Sequence, residues 1–220
     1  MSNSATGRTS TTASSGSSDS DEAASQIEIV ACGALAAHIR EIAARRGWPI
    51  VVRPLPAALH NRPEKIKGHI ERAVVPAHAH GARAVLGYAD CGTYGALDEL
   101  AQRTGTPRLP GLHCYDLYAG RETIAALFDT EPGTYLLTDY LVRTFDRTVV
   151  ASLGLDRYPE LWPDYFGHYR RLVWLAQHPT PELEASATRI AGLFGLPLTR
   201  LETDTTRLEA ALAALLEETP

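Results

Sequence analysis

The chain has 220 residues, enough for one large α/β domain or two small ones. Hydrophobic residues make up 45%, which supports a substantial core, and a formal net charge of −5 gives no electrostatic reason to expect nucleic-acid binding. No apolar run approaches the roughly 20 residues of a bilayer-spanning helix, and residues 1–25 lack the apolar segment of a secretory signal. The expectation is a soluble cytoplasmic protein that binds neither membrane nor nucleic acid. In that compartment its three cysteines are reduced thiols, available as ligands, nucleophiles or core residues.

Residues 1–25 are polar and low in complexity. They bury too little to offset the entropy of ordering, and read as a disordered leader. Residues 26–220 read as a single α/β domain. Ile27–Ala31 is a strand, and Cys32-Gly33 turns into a helix over 34–46 with Leu35, Ile39 and Ile42 on one stripe. Residues 48–53 form a second strand. The loop Pro54–Lys65 is stiffened by prolines that disfavour a strand. A helix over about 63–80 contains Pro76, where a kink or break is expected. Arg83–Ala89 is a third strand, followed by Cys91 and a helix to Thr104.

Leu109–Cys114 reads as a short fourth strand interrupted by Pro110-Gly111. Residues 121–129 read as a helix, 133–138 as a strand or helix entry, and 139–153 as a longer helix. Residues 156–170 are aromatic and irregular. A strand (171–176), a helix (181–194), a strand (197–201) and an Ala/Leu-rich helix (205–218) complete the chain. This alternation predicts an α/β fold, a mainly parallel sheet flanked by helices on both faces, with a site at the carboxyl ends of the strands.

Chemistry concentrates at those ends. Cys32, Cys91 and Cys114 each occupy a strand end, and Gly33 and Gly92 permit close backbone approach to a ligand. Three thiolates with an open fourth position suit Zn²⁺, or an iron–sulfur cluster with one iron left for substrate. Reduced cysteines without metal are the competing reading. Two of them facing each other could act as acid and base in a racemase or lyase, given a thiolate whose pKa is lowered by a helix N-terminus. His60 and His113 are candidate proton carriers, and Asp90 a candidate orienting group. Asn61, Lys65, Thr93 and Arg170 are candidate substrate-binding residues, the two cations for an anionic group. Asn61 and Glu64 also have capping-box spacing. His38, His69, His78 and His80 lie on helices and read as solvent-facing. The sequence lacks the glycine fingerprint of dinucleotide binding and the phosphate-binding and nucleophile-elbow motifs.

Several stretches resemble a known family. They are Ala31-Cys32-Gly33-Ala34-Leu35, Leu59-His60-Asn61-Arg62-Pro63-Glu64-Lys65-Ile66, Tyr88-Ala89-Asp90-Cys91-Gly92-Thr93, Gly111-Leu112-His113-Cys114-Tyr115 and Tyr165-Phe166-Gly167-His168-Tyr169-Arg170. The chain resembles prokaryotic proteins catalogued as a domain of unknown function and often encoded near corrinoid-dependent methylamine methyltransferases. The likeness spans most of residues 27–215, with Gln177-His178-Pro179 standing where a small-residue turn is expected. It implies one-carbon or methylated-amine metabolism and a corrinoid methyltransferase system as partner. The leading expectation is a metal-dependent lyase or transferase acting on a small polar metabolite. A metal or corrinoid handling accessory protein and a metal-free cysteine enzyme are the alternatives.

Overall fold

The computed structural model describes residues 27–79 and 81–217; the predicted leader and His80 lie outside them. β1 (Ile27–Cys32) is buried from Glu28 onward, as a central parallel strand requires. It pairs in parallel with β2 (Ile50–Leu55) on one side and β3 (Arg83–Gly87) on the other, in the order β2-β1-β3. Between β1 and β2, α1 (Ala36–Arg46) buries Ala36, Ile39, Ile42 and Ala43.

β2 runs farther than its prolines predicted. Pro54 lies inside it, opposite Ala31. An edge strand tolerates the missing N–H, because no ladder continues beyond it. Two 3₁₀ turns, Ala57–Asn61 and Pro63–Lys65, lead into α2 (Ile66–Ala79), which continues through Pro76 without the predicted break. The capping box at Asn61 and Glu64 does not form: Arg62 stands at the N-cap of the second turn, with no side-chain capping bond.

The predicted strand over Leu109–Cys114 is also absent. Arg108 makes one isolated parallel bridge to Leu86. Pro110 then offers no N–H, and Gly111, at a φ of 102°, turns the chain away. α3 (Ala96–Thr104) precedes this loop, and α4 (Asp116–Ala119) and α5 (Arg121–Thr130) follow it.

The remaining strands build a second sheet. β4 (Thr134–Thr138), β5 (Arg171–Ala176) and β6 (Leu198–Glu202) pair in parallel in the order β4-β5-β6. α6 (Asp139–Phe145), prolonged as a π-helical stretch to Ala151, and α7 (Trp162–Phe166) lie between β4 and β5. α8 (Pro181–Phe194) joins β5 to β6. The α/β class and the parallel pairing agree with the sequence reading, but the strands are divided between two three-stranded sheets instead of filling one. Each sheet has its own core, around Ile29, Leu86 and Ile70 in the first and around Trp174, Phe145 and Ile190 in the second. α9 (Thr206–Glu217) returns from β6 to the first sheet, where Leu208, Leu212 and Leu215 enter the core and Glu209 pairs with Arg46 at 2.6 Å. The last helix therefore straps the second half of the chain to the first.

Candidate functional site

The chain leaves central β1 for β2 and returns on the opposite side at β3. The winding thus reverses between β1 and β3, and a crevice is expected outside their carboxyl ends. Cys32 is the last residue of β1, and Cys91 lies in the loop that follows β3. Gly33 is required beside Cys32. A Cβ there would lie 2.8 Å from the Leu55 carbonyl oxygen and 3.2 Å from the Ala57 nitrogen, so only glycine lets the loops after β1 and β2 close together.

Cys91 is held in the left-handed region, at a φ of 51°, next to Gly92 at 81°. For a non-glycine residue this strain costs about 1–3 kcal/mol and clusters at functional sites. Neighbouring contacts hold it in place. The N–H groups of Asp90 and Cys91 donate to the carbonyls of Gly111 and Leu112 at 3.1 and 2.8 Å, drawing the loop that carries Cys114 onto the loop that carries Cys91. The Asp90 carboxylate accepts from Thr93 Oγ1 at 2.8 Å, the Gly95 N–H at 2.9 Å and the Tyr94 N–H at 3.1 Å. Burial opposes its charged form, but these bonds, led by Gly95, prevail and hold its carboxyl below the usual value. Asp90 and Thr93 therefore shape the loop.

All three cysteines line one cavity of about 570 Å³, together with His60 and Asn61. The opposite wall comes from the second half of the chain and includes Tyr135, Thr138, Tyr165, Phe166 and Tyr169. No Asp, Glu, Lys or Arg is among the cavity's described lining residues. The thiols influence one another: Cys32 acts on Cys91, and both act on Cys114. The Cys114 N–H is directed at the Cys91 sulfur.

The lowered thiol pKa expected from the helix termini is not seen. Burial raises the pKa of Cys32, outweighing the Ala34 and Leu35 N–H groups directed at it. Burial and the neighbouring Cys32 push Cys91 up to about 12. Burial, then Cys91 and Cys32, raise Cys114 in the same way. Among the described residues, no group of three or more His, Cys, Asp or Glu side chains is gathered as a single metal ion requires.

His60 lines the cavity from the first 3₁₀ turn and is itself exposed. Desolvation by the nearby cavity walls, then the neighbouring His113, lower its pKa below 6.5, so the imidazole is neutral at neutral pH. His113 lies just outside the cavity, its ring 6.3 Å from that of Tyr115. Lys65 is exposed on its 3₁₀ turn. Arg170 spends its guanidinium on the carbonyls of Gly167 and Tyr169, at 3.1 and 3.2 Å. Neither cation lines the cavity.

A family model described as "Protein of unknown function (DUF1638)" matches residues 54–212. The chain belongs to this family. No curated protein and no solved structure matches it significantly. The matched span of this DUF1638 protein includes Cys91 and Cys114, and it starts after Cys32.

Two polar clusters of the DUF1638 chain escaped the sequence reading. His38, expected in solvent, is buried; its Nδ1 is 2.8 Å from the Tyr118 hydroxyl, and its ring stands edge-on to that of His178 with centroids 5.6 Å apart. Its place on α1 gave the signal, since it falls on the same stripe as Leu35 and Ile42. Asp139 is fully buried between β4 and β5. Its carboxylate accepts from Trp174 Nε1 at 2.9 Å and from the N–H groups of Gln177 and His178 at 3.2 and 2.7 Å. The Gln177 amide oxygen accepts the Asp139 N–H at 3.0 Å in return, which gives the unexpected Gln177 a structural task.

His38 makes stability pH-dependent. Burial lowers its pKa below 6.5, aided by His178 and Arg143 and opposed by Glu41 and Asp139. Below about pH 6.5 the unfolded chain protonates this group while the folded chain does not. The unfolded state then binds more protons, so stability falls as pH drops through that value toward the folded pKa. Urea melts between about pH 7.5 and 5 should show this decline. His38→Gln, which does not titrate, should have a shallower slope; an unchanged slope would remove His38 from the account.

Proposed function

We propose that this DUF1638 protein is a cytoplasmic metalloenzyme of lyase or transferase type. Cys32, Cys91 and Cys114 hold its metal centre, and the facing wall binds a small, polar, uncharged metabolite. The observation that carries this reading is the arrival of all three thiols, from the end of β1, the loop after β3 and the loop after α3, in one cavity at the β1/β3 reversal. Buried thiols with raised pKa values remain protonated in metal-free protein, and a bound cation is what reverses that preference. A metal-free racemase or lyase would need one thiolate of lowered pKa, and burial acts the other way on all three.

Two centres suit the donor set. Zn²⁺ needs every sulfur within about 2.3 Å of one point. An iron–sulfur cluster takes each thiolate at a different iron and spans a broader base. Such a centre supplies an open Lewis-acid position for a substrate oxygen or nitrogen. His60, kept neutral and lining the cavity, receives the proton. The Tyr115 and Tyr135 hydroxyls, whose pKa values burial raises, stay protonated and donate hydrogen bonds to the bound molecule. The described lining carries no Asp, Glu, Lys or Arg, which suits an uncharged substrate, and Lys65 and Arg170 lie outside it. The family resemblance adds one-carbon or methylated-amine metabolism as the setting, with a corrinoid methyltransferase system as partner.

Metal analysis and the UV-visible spectrum of anaerobically purified protein test this. Iron with broad visible absorbance supports the cluster, and zinc without colour supports the single ion. Protein that holds no metal, and takes up neither zinc nor iron with sulfide, would end the metalloenzyme reading.

A further inference from the structure

The cavity wall contributed by the second half of the chain is built largely from rings. Of the chain's nine tyrosines and four phenylalanines, five and two line the cavity. β4 brings Tyr135, α5 brings Phe128, and α7 with the residues after it brings Tyr165, Phe166 and Tyr169. These rings hold one another in place. Tyr135 stands edge-on to Tyr169 and Phe166, with centroids 4.9 and 5.8 Å apart. A second layer supports them. Phe194 packs against Phe166 and Tyr135 at 4.8 and 5.0 Å, and Trp162 packs against Phe166 at 4.7 Å. A wall interlocked in this way is organised before anything binds, so little ordering entropy is lost on binding.

Three further observations define the occupant. The cavity volume of about 570 Å³ lies within the range of about 300–1,000 Å³ that encloses ligands of drug size. A molecule of a few heavy atoms would leave most of it unfilled. No Asp, Glu, Lys or Arg is among the described lining residues, which suits an uncharged ligand. Among the described residues, no protein group hydrogen-bonds to the hydroxyls of Tyr115, Tyr135 or Tyr169. These O–H groups are donors for acceptors on a ligand. Aromatic walls also attract organic cations, but an alkylammonium offers a tyrosine O–H no acceptor. A flat heteroaromatic ring answers all of these features. Its faces and edges pair with the rings of the wall, and its carbonyl oxygens or ring nitrogens accept from the tyrosines. We propose that the cavity takes an uncharged ligand built on two or three fused heteroaromatic rings, stacked against Tyr135, Tyr165 and Tyr169. This names the substrate class of the site. It rests on the reading above that places substrate against this wall, and it is independent of what the cysteines bind.

Riboflavin, with three fused rings, and adenosine, with two, are both uncharged at neutral pH and serve as probes for the full-length protein. Each should bind at one site per chain in equilibrium dialysis, and riboflavin fluorescence should be quenched as its ring stacks on tyrosine. Flavin mononucleotide has the same ring and a phosphate, and should bind about 10-fold more weakly than riboflavin because the lining lacks a cation. Tyr165→Leu removes a partly exposed ring and keeps apolar bulk, and should weaken riboflavin binding about 10-fold. Tyr169→Phe, which loses only the O–H, should weaken it about 5-fold. Tyr158→Leu, at an exposed tyrosine outside the cavity, should bind as wild type does. Failure to bind either probe at millimolar concentration would overturn the inference. So would flavin mononucleotide bound as tightly as riboflavin, equal affinities in wild type and both cavity variants, or tetramethylammonium bound in place of the rings. Metal analysis of the same samples keeps the two readings apart. Ring binding by protein that takes up no metal would leave this inference standing and remove the metal centre, and metal-loaded protein that ignores both probes would do the reverse.

Discussion

Cys91→Ser should fold, lose its metal and lose activity. Structural zinc in small peptides supplies about 10–16 kcal/mol of folding free energy, while a domain has roughly 5–15 kcal/mol in total. A centre of that kind would leave Cys91→Ser unfolded. Here the thiols stand at the rim of a sheet whose core is already complete. Ile29, Val85, Leu86, Ile39 and Ile70 are buried to the last atom beneath them. That core holds without the ion. The competing expectation, a cysteine that only packs, has its own signature: Cys91→Ala would cost about 1 kcal/mol and leave metal content unchanged. Thermal melts and metal analysis of the two variants, run beside wild type, decide between them. Full metal retention in both variants would remove Cys91 from the site.

The parts of the chain that could be read in advance are those whose signals are local. β5 and α8 match their predicted ranges residue for residue, because an unbroken apolar run and a Thr-Pro start followed by a Gly stop each need only nearby residues. The division into two sheets was hidden for the opposite reason. A parallel strand is apolar on both faces whichever strand it pairs with, so β4 gives no sign that it begins a new sheet. The placement of Cys32 and Cys91 was legible from strand ends, whereas Cys114 arrives on a loop where the expected strand does not form. The chemistry of the thiols was not legible: the helix-terminus field expected to lower the thiol pKa is present at Cys32, and burial outweighs it. Asp90 shows how a functional reading and a structural one can share a residue. In Asp90-Cys91-Gly92-Thr93 the same spacing that places a carboxylate beside a thiol also lets it clasp the Thr93 hydroxyl and the N–H groups beyond. Asp139 could not be read at all, since its donors lie 35 to 39 residues away.

Asp139→Ala should be the most destabilising single change, and it should spare the metal. Its carboxylate serves three buried or half-buried donors, the Trp174 indole and two backbone N–H groups at the carboxyl end of β5. Hydrogen bonds to a charged group contribute about 1.5–3 kcal/mol each, and donors left buried without an acceptor add their own desolvation cost. Because the three share one carboxylate their effects are not additive, and about 4 kcal/mol is the expected loss. For a chain of this length that lowers the melting temperature by roughly 8–16 °C. Asp139→Asn keeps the shape and one acceptor oxygen but turns an amide N–H₂ toward a donor, and should lose about half as much. All the cysteines belong to the first sheet and its loops, whereas Asp139 ties β4 to β5 in the second. At low temperature Asp139→Ala should therefore bind metal as wild type does, while Cys91→Ser should melt near metal-free wild type and bind none. Calorimetry and metal analysis on the two variants measure both quantities. If Asp139→Ala released the metal while still folded, the two halves of the chain would be coupled through the site more tightly than this architecture implies.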